Sequence, residues 1–450
     1  MEKNKAIDRV TSLYQHLVPA SIEQYLTLFS QGYDFFSLEI KEQSFRIALT
    51  DKLLGLLKDE SKIPTGLNKN DIAFLLACLC PFKEGLSVLE KEAFETFSSL
   101  ADIGYIDASY WLSLCYIKGL GTPVDQKKAL DYLQSAAKQG YAIAEFSLGC
   151  FYEKGGIIKQ DYQTAFKWFS LASQKGLMEA ECELGECYSS GLGTEKDLKK
   201  SYEYYKKASD SGYAPAQFEM AYFCFFGLNE MRDVAKASDY LLLSANQGYA
   251  PAQFMLGKFY ADGYGLVKNN DEAFKWFLLA AKQGYPLAMN AVGDCYFYGR
   301  GVSKDCKEAY SWHLKASQKG LPEAMTTLGD NFYYGGGVNK DYEKAFSFYL
   351  LASQQGYTLA QVNLAKCYFN GTGTKQDYLK ALEYYQLAAD KDNLVALYSL
   401  ANMYLLGKGI KKDEVKGEKW LRRVAMLGYK EAIDELENIE GVPYKTYLNK

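Results

Sequence analysis

The apolar positions of this chain recur with a period of 36 residues. Each unit opens on glycine (Gly104, Gly140, Gly176, Gly212, Gly248, Gly284, Gly320, Gly356 and Gly428), with Asp392 in the remaining place, and GYAPAQF is spelled twice, at Gly212–Phe218 and Gly248–Phe254. Counted from the opener, alanine stands at offset 4 of every unit, with leucine at offset 8 and tyrosine at offset 12 of most. Steps of four put these on one stripe of a helix, here helix A. Small residues at offset 9 (Gly149, Gly185, Gly257, Gly293) leave room for a second helix to approach. Glycine at offset 15 in all nine full units, usually with another two positions later, ends helix A through backbone angles that other residues resist.

The second half of each unit predicts helix B. Offset 21 is aspartate in eight units and Asn269 in the other, both good N-caps. Small residues follow at offset 25, an aromatic at offset 28 (Trp168, Trp276, Trp312 and Trp420 among them) and alanine at offset 32. The next opener then serves as the left-handed residue that stops helix B. Pro215, Pro251, Pro286 and Pro322 sit at the start of helix A, where proline costs least. A fixed period of this size marks stacked repeats.

These residues resemble the Sel-one-like repeat (SLR) family, relatives of the tetratricopeptide repeats. The segments AEFSLGCFYEKGG, AQFMLGKFYADGYG and DEAFKWFLLAAKQGY carry the likeness, which runs from Gly104 to about Ala432. The expected fold is an all-α, right-handed α-solenoid of 36-residue helix-turn-helix repeats. Nine repeats are expected over 104–427, after a degenerate first repeat at 68–103 and before a C-terminal capping helix at 428–450. Residues 1–67 lie outside the repeat and predict about three helices, one opened by a Ser21/Gln24 capping box, forming a cap or a docking segment. Two departures stand out. The fourth full unit has Cys224 for the offset-12 tyrosine and Asn229 for the second glycine, which predicts an irregular turn, and Asp392 predicts a strained or altered one.

Composition sharpens this picture. Aromatics reach 15% of the 450 residues, with 38 tyrosines, so the fold consumes rings systematically. A net charge of −4 and no long basic run argue against a nucleic-acid partner. Ten cysteines, four of them at one helix position (Cys115, Cys187, Cys295, Cys367), read as small buried apolar residues in a reducing compartment. Two histidines and no C-x-x-C pair leave no zinc site of the usual spacing, and no cofactor is expected. The N-terminus lacks a secretory signal and no apolar run approaches the roughly 18 residues of a membrane span, so the expected location is the cytoplasm. Export by a specialised machine leaves no trace that this reading would detect.

Three patterns invite a catalytic reading and fail it. SAAK at Ser135–Lys138 has the S-x-x-K form of penicillin-recognising serine enzymes, without the S-D-N or K-T-G partners. GLGT and GTGT lack the G-K-[ST] continuation of a phosphate loop. His313 has no ligand companions and reads as a packed ring. The chain is expected not to be an enzyme.

By analogy with tetratricopeptide arrays, offsets 3, 6, 10, 13 and 14 of helix A line a concave face. The candidate partner-binding residues there are Tyr222, Phe225, Phe226, Lys258, Asp262, Asp294, Phe297, Tyr298, Asp330, Tyr333, Tyr334, Lys366 and Phe369. Adjacent aromatics point about 100° apart on a helix, so at least one of each pair should face outward. The expected function is a non-catalytic scaffold that presents this face to an extended or helical segment of a protein. Rival readings are a dedicated neutraliser of a toxin, a pathogen effector binding a host protein, a self-assembling spacer and, from activity credited to some relatives, a β-lactam hydrolase.

Overall fold

A helix whose stripe is alanine, leucine and tyrosine has little to bury alone and must find another helix. In the computed structural model, which describes residues 87–229 and 231–440, this happens over and over. The helices expected within residues 1–67, most of the degenerate repeat and the stop at Gly441–Pro443 lie outside the described residues. Among the described residues there are 20 α-helices and no strand. The helices are α1 (Ser87–Asp102), α2 (Ile106–Lys118), α3 (Gln126–Lys138), α4 (Ala142–Lys154), α5 (Tyr162–Gln174), α6 (Met178–Ser190), α7 (Leu198–Asp210), α8 (Ala214–Phe226), α9 (Val234–Asn246) and α10 (Ala250–Asp262). There follow α11 (Asn270–Lys282), α12 (Pro286–Tyr298), α13 (Cys306–Gln318), α14 (Pro322–Tyr334), α15 (Tyr342–Gln354), α16 (Thr358–Asn370), α17 (Tyr378–Ala389), α18 (Leu394–Leu406), α19 (Glu414–Met426) and α20 (Lys430–Glu440). Even-numbered helices are the A helices of the repeat and odd-numbered ones the B helices. None is long and apolar enough to cross a membrane.

The chain divides into two compact units, one ending at Ser244 and the other beginning at Ala245, both within α9. The same packing rules operate in each. Offset-4 alanines are fully buried in both, from Ala108 to Ala432, so any larger side chain there meets a neighbouring helix. Offset 21 caps helix B as expected: Asp125, Asp161, Asp197, Asn269, Asp305 and Asp377 each accept two backbone N–H bonds, from the residues two and three positions on. The N–H of the same residue donates to the carbonyl of offset 12, as in Asp161 to Tyr152 and Asp341 to Phe332, which pins the turn to helix A.

The aromatic surplus is spent on a ring lattice. The offset-12 ring stacks on the offset-28 ring of its own helix B: Tyr116 on Tyr132, Tyr188 on Tyr204, Phe332 on Phe348 and Tyr368 on Tyr384, with centroids 5.7–5.8 Å apart and planes within 7–13°. The preceding repeat supplies an edge from its offset 26, as Phe166 does to Tyr188 and Phe346 to Tyr368. A lysine at offset 24 covers several of these rings, including Lys200 over Tyr188 at 5.2 Å. Such pairs add about 0.5–1.5 kcal/mol each beyond the area they bury.

Glycine at offset 9 admits a ring as well as a helix. A Cβ on Gly149, Gly185, Gly257 or Gly329 would lie 2.5–2.7 Å from the offset-29 ring beneath it, Phe169, Tyr205, Phe277 or Tyr349. Where offset 29 is leucine (Leu133, Leu241, Leu421), offset 9 carries Ser113, Ala221 or Ala401 instead. Volume is thus exchanged between the two helices at one contact.

The two irregular places keep most of their geometry. Asp392 adopts φ 55°, the one non-glycine with positive φ among the described residues, and Asn393 N–H still reaches Ala388 O as in the other turns. This turn is strained rather than altered. In the fourth unit Gly227 remains left-handed, and Arg232 Nε donates to Phe225 O at 2.9 Å, the bond Gln160 and Gln376 make to Glu153 O and Phe369 O in their own repeats. Asn229 replaces a glycine whose equivalent, such as Gly409, packs against the first residue of the preceding B helix.

Candidate functional site

Each unit presents the last turns of its A helices, and the candidate residues fall on them. In the unit before Ser244, α8 carries Tyr222 at 45% exposure and Phe226 at 53%, with Phe225 half-buried between them and the turn. Tyr222 and Phe226 lie 4.4 Å apart, and Phe225 meets Phe226 edge-on at 5.0 Å. The Arg232 guanidinium stacks 4.9 Å over Phe225.

In the unit after Ala245, Tyr298 on α12 is 59% exposed and Tyr334 on α14 is 70% exposed. Their neighbours Phe297 and Tyr333 are half-buried, each edge-on to its exposed partner at 5.0 and 4.8 Å. The offset-14 ring thus points outward and the offset-13 ring is shared with the turn. Phe297 packs against Gly336 of the next repeat, Tyr333 against Tyr342 at 5.2 Å, and Phe369 against Tyr378 at 5.1 Å. Cations flank them: Arg300 over Tyr298, Lys304 over Phe297 and Lys408 over Phe369. Lys258 and Asp262 on α10 and Lys366 on α16 are exposed as well.

Asp294 and Asp330 have a second task that the sequence did not disclose. Asp294 lies 3.2 Å from Nε2 of His313, and Asp330 accepts from the Tyr349 hydroxyl at 2.6 Å and from Asn363 Nδ2 at 3.3 Å. Glu186 does the same for Tyr205 at 3.0 Å. An acid at offset 10 therefore accompanies a ring with a polar tip at offset 29 in these three repeats. Burial raises the Asp330 carboxyl above its usual range, against the bond from Tyr349 that lowers it. His313 itself is fully buried beneath Gly293, the packed ring that the sequence predicts. Ser135 is exposed on the last turn of α3, where its hydroxyl accepts from Gln139.

A set of residues absent from the sequence reading lies on the A helices of the first unit. Glu153 of α4, Glu183 of α6 and Glu219 of α8 are half-buried, and with the exposed Glu186 of α6 they form a carboxylate row. Burial, then the neighbouring Glu153 and Glu186, push Glu183 up to about 7. Burial and then Glu186 push Glu219 up to about 7, and burial also raises Glu153. The signal was present in the numbering: Glu153, Glu186 and Glu219 are spaced by 33, the separation at which Asn363 meets Asp330 across a repeat junction.

Comparison with known proteins accounts for the architecture. The Sel1 repeat family matches at nine consecutive places, residues 106–141, 142–177, 179–213, 214–249, 250–285, 286–321, 322–357, 358–393 and 394–429. No curated protein matches the sequence at a significant level. Among solved structures, the chain is similar to c5321, a protective antigen of uropathogenic Escherichia coli strains with an SLR fold, at 29% identity and TM-score 0.60, over 87% of this chain and 82% of that one. It is also similar to a Sel1 repeat protein from Oxalobacter formigenes, at 31% identity and TM-score 0.51, over 69% of this chain and 90% of that one. With nine matched repeats in unbroken register, the chain belongs to the Sel1 repeat family.

Proposed function

We propose that the chain is a non-catalytic protein-binding scaffold whose contact surface is the outward-facing aromatic side of its A helices. The observation that carries this reading is the exposure of Tyr298 and Tyr334, at 59% and 70%, in a fold that engages many of its other rings in ring–ring contacts. Rings left on a soluble surface and braced from below by a second ring are suited to act as anchors in an interface. Phe226 offers the same feature in the first unit. The flanking cations over Tyr298, Phe297 and Phe369 would set the register of a bound segment, since charges at an interface rim govern specificity more than affinity. The buried free thiols Cys187, Cys295 and Cys367 support a reducing compartment such as the cytoplasm.

The test is affinity capture from the source cells with wild type beside a Phe226→Ser, Tyr298→Ser, Tyr334→Ser variant. These side chains support no core, so the variant is expected to keep its helical circular dichroism. A protein retained by wild type and lost by the variant supports the reading. Identical catches from both overturn it.

A further inference from the structure

The aromatic patch at the end of α8 differs from those of the second unit in what lies beside it. Tyr222, Phe226 and Leu228 are exposed there, and Met231 is 92% exposed. Along the same face toward the preceding repeats lies Glu219, three residues before Tyr222 on one helix, and beyond it Glu186.

The Glu186–Glu219 junction has a counterpart that shows what a settled one looks like. At the same spacing Asp330 accepts a hydrogen bond from the Asn363 amide. Two ionised carboxylates in that relation have no proton to share and repel each other, and the part-burial of Glu219 strengthens the repulsion. Glu186 is satisfied by hydroxyls, those of Tyr205 and Ser190, and by no cation. Among the described residues Glu153, Glu183, Glu186 and Glu219 form no ion pair. Lys154 acts on this row and lowers Glu153 and Glu183, while Arg232, beside the aromatic patch, is committed to the Phe225 carbonyl and ring. The four carboxylates are strung along a face rather than gathered, and no group of three among the described residues could hold a metal ion.

A surface that is apolar at one end and carries an excess of negative charge along the rest is complementary to one kind of occupant. Building on the protein-binding reading above, we propose that this face of the first unit takes a cationic amphipathic segment of a protein partner. A Lys or Arg side chain would sit on Glu186 and Glu219, and an apolar side chain on Tyr222 and Phe226. The cation supplies the charge that the junction lacks, and the rings supply the anchor. A polyanion such as nucleic acid would meet the same charge as repulsion.

The probe is a short fluorescein-labelled synthetic peptide of alternating lysine and leucine pairs with one tryptophan, beside its twin with glutamate for lysine. Binding is read by fluorescence anisotropy at mildly alkaline pH. Wild type is expected to bind the lysine peptide and not its twin. Glu186→Gln with Glu219→Gln should weaken binding about tenfold or more, as should Tyr222→Ser with Phe226→Ser. The Gln pair removes a repulsion and so should fold at least as well as wild type, which circular dichroism checks. Neutralising two exposed acids of the same unit, Glu195→Gln with Glu203→Gln, should leave affinity within about twofold. Equal binding by wild type and the Glu186/Glu219 variant would overturn the proposal, as would an equal loss from the Glu195/Glu203 control, which would signify general acidity. Tyr298→Ser with Tyr334→Ser should not change peptide binding. A native partner still captured through those rings while the peptide fails would sink this inference alone, leaving the scaffold reading standing.

Discussion

The junctions Glu186–Glu219 and Asp330–Asn363 occupy equivalent places in two repeats that otherwise match closely. Both have glycine at offset 9 (Gly185, Gly329), a buried tyrosine over it (Tyr205, Tyr349) and an acid accepting a hydrogen bond from the phenol (Glu186, Asp330). They differ in what the next repeat brings, a carboxylate in one case and an amide in the other. The amide closes the network with a hydrogen bond. The second carboxylate leaves it open, and burial, then Glu186, raise Glu219 to about 7. A solenoid scaffold is repeated for stability, so a departure that costs stability at one junction marks a place where something other than packing decides the residue.

The largest expected effect concerns what the two junctions share. Gly185→Leu and Gly329→Leu each drive a side chain into a tyrosine ring and should cost about 3 kcal/mol or more, read as a fall in thermal midpoint. A cost confined to one of them would break the equivalence on which the comparison stands.

Next comes the exchange of their difference. Glu219→Asn should stabilise the first unit by about 1–2 kcal/mol at pH 8, and Asn363→Glu should destabilise the second by a similar amount, read by native-state hydrogen exchange in α8 and α16. The sign of the pH dependence follows from the direction of the shifts. Glu183 and Glu219 ionise near 7 in the fold against an ordinary 4.5, so the folded state resists their ionisation. The associated stability is fully present below 4.5 and is lost as pH rises through 7. Protection in α6 and α8 should therefore fall between pH 5 and 8, and the Glu183→Gln, Glu219→Gln variant should flatten that fall. An unchanged profile in the variant would place the titration elsewhere, with Glu153 the group to neutralise next.

The smallest effect is Tyr349→Phe, which removes one proton donor from Asp330 and should cost about 1 kcal/mol. Tyr205→Phe should cost less, because Glu186 is exposed to water and keeps the Ser190 hydroxyl.

The repeat was legible because each unit states the same local chemistry: a capping aspartate, a turn glycine and an alanine with no room to grow. What remained hidden were the relations between offsets on different helices. Glycine at offset 9 reads as a helix approach until the offset-29 ring is seen lying on it. Asp294 and Asp330 read as surface charges because their partners stand 19 residues away, across a turn, where no helical periodicity points. The outward rings were recoverable because adjacent aromatics on a helix cannot share one direction, and offset 14 proved to be the exposed member of each pair. The carboxylate row was missed because its members carry different offsets and align only along the diagonal of the array.

The proposed contact surface for a protein partner is the A-helix face. The most direct measurement is hydrogen exchange of the protein alone and in complex with the partner captured from its cells. The account predicts new protection in the last turns of α8, α12 and α14, around Phe226, Tyr298 and Tyr334. Protection confined to the B helices, which expose a row of their own at Leu279, Leu351 and Leu387, would contradict it.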